Sequence, residues 1–229
     1  MNISIINSII SGIANSRPFF FSEADFQHSL AMELERRGYP VILEYPTTIT
    51  LFGGKRRISL DILAFDPSED TYYPIELKYK TKSIKCNNTL NSAWPVCKLK
   101  THSAQNINRY LFWRDVARIE AVLNILNSST GFVVMLTNDD EYWKLPSATY
   151  VTTEDALFRI HVGSMVSRVQ WMGTATPPAM PPSGRFIGNV FYQNFTLRKQ
   201  YAIPEWLHYS LLTGCGNKNS EFKFLTLEI

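Results

Sequence analysis

Little in this 229-residue chain runs to an extreme, and each shortage removes a class of protein. Lysine and arginine number 23 against 20 aspartates and glutamates, a net charge of +3. So small an excess gives no global attraction to a polyanion, and such a partner has to be argued from local clustering. The cysteines are only Cys86, Cys97 and Cys215, an odd number without a dense framework. That scarcity predicts a reducing, cytoplasmic setting and no structural disulfide. No apolar run approaches the roughly 18–20 residues that span a bilayer, so no membrane partner is expected. The opening "MNISIINSIISGIANS" lacks a basic n-region and is interrupted by Asn and Ser, which argues against a signal peptide. A Walker-type glycine loop is missing, so no nucleoside triphosphate is expected to bind by that route. There is no internal repeat and no low-complexity block. With 45% hydrophobic and 19% charged residues, what remains is an ordinary globular chain with a sizeable core.

Periodicity outlines the elements. Ile5, Ile6, Ile9, Ile10 and Ile13 recur at helical spacing. Ser22, with Asp25 three residues on, reads as an N-cap for a second helix carrying Phe26, Leu30, Ala31 and Leu34 and ending at Gly38. "YPVILEYPTTITLF", "RISLDILAF" and "YYPIELKYK" read as three strands, separated by the Gly53–Gly54 turn and a "DPSEDT" loop. Residues 103–126 follow as a long helix, then "GFVVMLT" as a buried central strand. The order predicts an α/β fold with a mixed sheet flanked by helices. Beyond Asp140 the pattern loosens. "TATPPAMPPSG" reads as a loop, and "FIGNVFYQNFTL" and "EFKFLTLEI" as strands. The expectation is a core over 1–140 and a C-terminal elaboration over 141–229, packed on it as one domain.

The charged residues of the second and third strands carry the chemistry. Alternation puts Glu76, Lys78 and Lys80 on one face and Ile75, Leu77 and Tyr79 on the other. It also puts Asp61 on a face with the apolar Leu63 and Phe65, an odd place for a solvating carboxylate. A symmetric hairpin through "DPSEDT" would set Asp66 opposite Thr71 and Asp61 opposite Glu76. Two carboxylates at that separation repel unless a cation lies between them. Mg²⁺ would bind both, and Lys78 on the same face would position or help deprotonate a water. Glu-x-Lys alone is a weak signal; the aspartate and the order of elements strengthen it.

With "SLDILAF" supplying Asp61 and "PIELKYK" supplying Glu76 and Lys78, residues 22–138 resemble the PD-(D/E)XK nuclease superfamily, the restriction-endonuclease-like fold. That core is a helix, three strands, a helix and a strand. The resemblance implies a Mg²⁺- or Mn²⁺-dependent deoxyribonuclease with DNA as partner, and a bacterial restriction, defence or repair role. It implies Asp61 and Glu76 as metal ligands, with the backbone carbonyl of Leu77 as a further one, and Lys78 as the water-positioning group. It also implies an acidic residue from the first core helix, Glu23 ahead of Gln27, and a helical glutamine, Gln105, in a second tier. Two departures stand out. Leu60 takes the nominal proline's place, and the Gln105-to-Tyr110 spacing is one residue longer than in the RecB-type branch.

Around this constellation Lys80, Lys82, Arg56 and Arg57 are candidate phosphate contacts, as is Arg109 on the helix face of Gln105 and Phe112. The bland reading is that edge lysines block strand-to-strand association. Trp94, Trp113, Trp143, Trp171 and Trp206 are scattered and read as packing residues. Cys86, Cys97 and His102 are too widely spaced for a zinc knuckle, and His28 and His161 lack a nucleophile partner. The rival to an enzyme is an inactive domain of the same fold that binds nucleic acid or a protein. A homodimer, or a separate motor or specificity subunit, stays open.

Overall fold

The computed structural model describes residues 1–86, 97–126, 128–147, 153–172, 185–187, 190–215 and 219–229. Helix α1 (Ile3–Ala14) starts where the Asn2 side chain accepts the Ile5 N–H, and it buries Ile6, Ile9, Ile10 and Ile13. Helix α2 (Glu23–Arg36) starts at Ser22, whose hydroxyl accepts the Asp25 N–H. The Asp25 carboxylate reaches one residue further back than a capping box requires. It accepts the Phe21 N–H at 3.0 Å and pairs with Arg17, pinning the chain as it enters the helix. Gly38, at φ +88°, ends the helix in the left-handed conformation that glycine adopts without strain.

Strands β1 (Val41–Leu51), β2 (Gly54–Asp66) and β3 (Thr71–Lys80) form an antiparallel meander, and Asp66 does face Thr71. A short hairpin of β4 (Ile84–Cys86) and β5 (Cys97–Leu99) precedes helix α3 (Gln105–Leu126). Strand β6 (Phe132–Thr137) then returns parallel to β3, buried at every residue. Glycine is required at the α3–β6 junction: a Cβ on Gly131 would lie 2.5 Å from the Ile119 side chain.

The C-terminal third divides. Strands β7 (Met165–Val169) and β10 (Phe195–Ala202) pair with each other, as do β8 (Arg185–Ile187) and β9 (Val190–Tyr192). Strand β11 (Leu207–Leu211) and β12 (Glu221–Glu228) join the main sheet, whose order is β1-β2-β3-β6-β12-β11. This is a mixed sheet with helices on both faces. One core, under α1 and α2, holds Ile75, Leu77, Tyr79, Leu136 and Phe224. The other, under α3, holds Leu63, Val116, Ile119, Val133 and Met135. Trp113 and Trp206 are buried there and donate their indole N–H groups to Phe158 and Ile160 carbonyls, while Trp143 and Trp171 pack on the same core. Trp94 and the "TATPPAMPPSG" segment lie outside the described residues.

The cysteines correct an expectation. Cys86 and Cys215 form a disulfide, with Cα atoms 4.5 Å apart and a sequence separation of 129. Cys86 faces Cys97 across the β4–β5 hairpin and Cys215 across an isolated bridge, a convergence no sequence spacing announces. Among the described residues no helix is long and apolar enough to cross a membrane.

Candidate active site

The site exists because β2 and β3 part company. Their ladder ends at Ile62 opposite Ile75, one pair short of the expected Asp61–Glu76 register. On β2's other side, Leu43 faces Ile62 and Tyr45 faces Leu60, while Glu44, at φ +50°, and Asp61 between them are unpaired. The strand turns over at this point. Ile62 and Ala64 enter the α1/α2 core, but Leu60 enters the α3 core, although simple strand alternation would put all three on one face. Gln27 holds the turn, donating to the Asp61 carbonyl at 2.7 Å and to Glu44 Oε1 at 2.8 Å.

Parting leaves N–H groups on the open side of β3, and a half-buried donor needs an acceptor. Side chains supply it at every second residue. The Leu77 N–H donates to Asp61 Oδ2 at 2.6 Å, the Tyr79 N–H to Glu23 Oε2 at 2.7 Å, and the Thr81 N–H to His102 Nδ1 at 3.0 Å. Two of the sequence candidates are therefore positioned by the same cause, and His102 is a third group on that edge. Burial, then the neighbouring Lys80, lowers the His102 pKa, which suits an unprotonated Nδ1 that accepts.

Glu76 and Lys78 point to the opposite side, under α3. Glu76 is 1% exposed, and its Oε1 lies 3.0 Å from Arg118 Nη2. Lys78 Nζ lies 2.5 Å from Asp115 Oδ2 and donates to the Leu77 carbonyl at 3.0 Å. Asp115 is fully buried, and its Oδ1 lies 3.2 Å from Arg118 Nη1. Asp115 and Arg118 escaped the sequence reading. Two charges at i,i+3 on a helix look like a solvated face, and only tertiary packing shows that they turn inward.

Two buried carboxylates, Glu76 and Asp115, thus pair with two cations, Lys78 and Arg118, and Asp61 lies within electrostatic reach of Lys78. Burial, then the charge of Asp115, pushes the Glu76 carboxyl well above its usual range. Burial also raises Asp61, against the pull of Lys78. Asp115 goes the other way: burial opposes its charge, but Lys78 and Arg118 outweigh it and keep the pKa low. Burial likewise opposes the Lys78 ammonium, and Asp115, Glu23 and Glu76 hold its pKa above the ordinary value.

The residues meet the donor chemistry of a hard divalent cation. Asp61 and Glu76 offer carboxylate oxygens, and the Leu77 carbonyl, which accepts from Lys78, offers a neutral one. Glu76 Oε1 is buried and touches Arg118 without an aligned hydrogen bond, which leaves acceptor capacity unused. Among the described residues no group of three or more His, Cys, Asp or Glu side chains is gathered at metal-binding spacing; Glu76 is met instead by the chain's own Arg118.

The remaining candidates are placed as follows. Lys80 pairs with Glu23 at 3.1 Å, and Lys82 with Asp139 at 2.8 Å and Asp140 at 3.0 Å, so both lysines are already engaged. Gln105 donates to Asp139 at 3.0 Å, which ties it to the Lys82 end of the sheet. Arg109 is 5% exposed and locked onto Asp155 and the Glu141 carbonyl. That burial corrects its reading as a phosphate contact, because its partner lies 46 residues away in sequence. Arg56 and Arg57 are exposed on the part of β2 that pairs only with β1, beside Lys55, and none of the three forms an ion pair among the described residues.

Comparison with family models, with curated proteins and with solved structures gave no match. The functional reading therefore rests on the site's own geometry.

Proposed function

We propose that this protein is a metal-dependent nuclease of restriction-endonuclease-like fold that hydrolyses DNA phosphodiester bonds. The observation that carries the reading is that Asp61, Glu76 and Lys78 lie within electrostatic reach of one another where β2 and β3 separate, with the two carboxyls raised by burial in a cluster that also holds Asp115 and Arg118. A buried negative excess is costly until a proton or a cation joins it. The run α2, β1–β2–β3, α3 and β6 has the order of that fold, which supports the assignment.

Asp61 and Glu76 would hold Mg²⁺ or Mn²⁺, with the Leu77 carbonyl as a further ligand and Glu23 reaching the shell directly or through water. When bound, the ion supplies Lewis-acid polarisation of the phosphoryl oxygen and a more acidic water. Lys78, kept as an ammonium by Asp115, acts as a fixed positive charge that orients the attacking water and offsets charge developing on the phosphoryl group. Its ion pair with Asp115 favours the ammonium over a neutral amine. Arg56 and Arg57, exposed on the ribbon, would meet backbone phosphates. Lys80 and Lys82 would serve only by exchanging their carboxylate partners for phosphate. Gln105 is a more remote supporting residue at the Asp139 end.

A second reading has its own observation. Arg118 already seats a positive charge on Glu76, as in a domain that keeps the fold and binds nucleic acid or a protein without cutting. Cleavage of plasmid and single-stranded circular DNA with Mn²⁺, with EDTA as blank, separates the two. The nuclease reading requires cutting that is abolished by Asp61→Asn and by Lys78→Ala, with both variants folded. Equal cutting by all three proteins would remove the assignment, and no cutting by any would favour the binding domain.

A further inference from the structure

Arg118 is the group that the proposed chemistry does not use. Its guanidinium is gripped from three sides: Nη2 at 3.0 Å from Glu76 Oε1, Nη1 at 3.2 Å from Asp115 Oδ1, and Nη2 also on the Ser59 carbonyl. The side chain is 16% exposed, so one flank still faces the solvent side of the cluster. Glu76, by contrast, is 1% exposed and lacks an aligned hydrogen bond to the oxygen that Arg118 touches. The contact is thus an ion pair formed across an imperfect geometry, at the carboxylate that is also the best-buried candidate metal ligand.

We propose that Arg118 is a built-in competitor for the cation seat at Glu76: it neutralises Glu76 in the metal-free protein and must release that carboxylate when a divalent cation binds. The inference rests on the metal reading given above. Each nitrogen has a partner other than Glu76, Asp115 for Nη1 and the Ser59 carbonyl for Nη2, and this makes release feasible. Nη1 stays on Asp115, which is anchored by Lys78 on its other oxygen, while Nη2 lets Glu76 go. Arg118 then remains beside the site as a positive charge tethered by Asp115 and the Ser59 carbonyl, with the Nη2 contact to Glu76 vacated for a phosphate oxygen. Two consequences follow. Metal affinity is held below what the carboxylates alone would give, and the metal-free protein avoids an uncompensated buried carboxylate.

A purely structural arginine would, when removed, leave cation binding unchanged or weaken it through loss of order. A competitor, when removed, makes binding tighter. The test is Mn²⁺ titration by calorimetry on wild type and Arg118→Met, which keeps an apolar stem and removes the charge. We expect Mn²⁺ to bind Arg118→Met at least about tenfold more tightly, a change of about 1.4 kcal/mol. Arg118→Lys, which replaces a two-pronged contact with a single ammonium, should fall between the two. If Arg118→Met does not fold, the lysine variant carries the test and must still bind more tightly than wild type. Measurable binding by wild type with equal or weaker binding by the variants overturns the competitor role and leaves the metal reading intact. No binding by wild type, with none gained in the variants, overturns both.

Discussion

Asp115→Asn isolates the part of the cluster that the sequence hides. Asp115 is fully buried and is the one carboxylate of the three whose pKa is lowered, so it carries the standing negative charge against which Lys78 and Arg118 are set. Asn keeps the shape and one acceptor for Arg118, but removes the charge that faces Lys78 at 2.5 Å. Removing one member of a buried pair costs about 3–5 kcal/mol, and the retained acceptor points to the lower end, about 3 kcal/mol. For a chain of this size that corresponds to a melting temperature lower by roughly 6–12 °C. Urea denaturation of metal-free protein, with the slope checked for constancy, reads the change directly. A loss below about 1 kcal/mol, the range of an exposed surface pair, would refute the claim that Asp115 anchors the site.

Three other perturbations test the surrounding fold. Gly131→Ala would drive a Cβ to 2.5 Å from Ile119 and 3.0 Å from the Pro74 carbonyl, and should cost about 1–3 kcal/mol in thermal unfolding; a neutral result would mean that the α3–β6 junction is looser than described. Denatured without reductant, the protein should expose one reactive thiol, Cys97, and three after reduction. Reduction should lower stability by about 2–5 kcal/mol, whereas three thiols before reduction would show that Cys86 and Cys215 are not joined. Glu33 is held at about 2 by its hydrogen bond to Arg36, with Arg37 adding to it, against a free value of 4.5. A lowered carboxyl stabilises the fold above its unfolded value, and that contribution disappears as pH falls toward 2. Glu33→Gln should therefore narrow the stability difference between about pH 6 and about pH 3, by less than about 1 kcal/mol because the pair is near the surface; an unchanged difference would discount the pairing.

How far the sequence could be read follows the range of the interactions. The isoleucines of α1, the Ser22 cap, the Asp66–Thr71 hairpin end and the buried β6 all depend on neighbours within a few residues, and the structure has each of them. Asp61, Glu76 and Lys78 were legible as candidates because strand alternation is local. Their actual surroundings were not. The β2 turnover depends on Glu44 adopting a left-handed φ and on Gln27 bridging to it, neither of which has a residue-type signature. The partners of Lys78 and Glu76 lie on α3, where Asp115 and Arg118 share their helix with Arg114 and Glu120 and look no different from a wet face. Arg109 failed in the opposite sense: its charge suggested the surface, but Asp155 draws it into the core.

The central claim is that Asp61 and Glu76 jointly hold a divalent cation, and Mn²⁺ titration of wild type beside Asp61→Asn and Glu76→Gln tests it most directly. The account predicts a single site in the wild type, lost or weakened at least about tenfold in each variant, with circular dichroism unchanged. Wild-type protein that binds no Mn²⁺, or variants that bind it as well as wild type does, would contradict it.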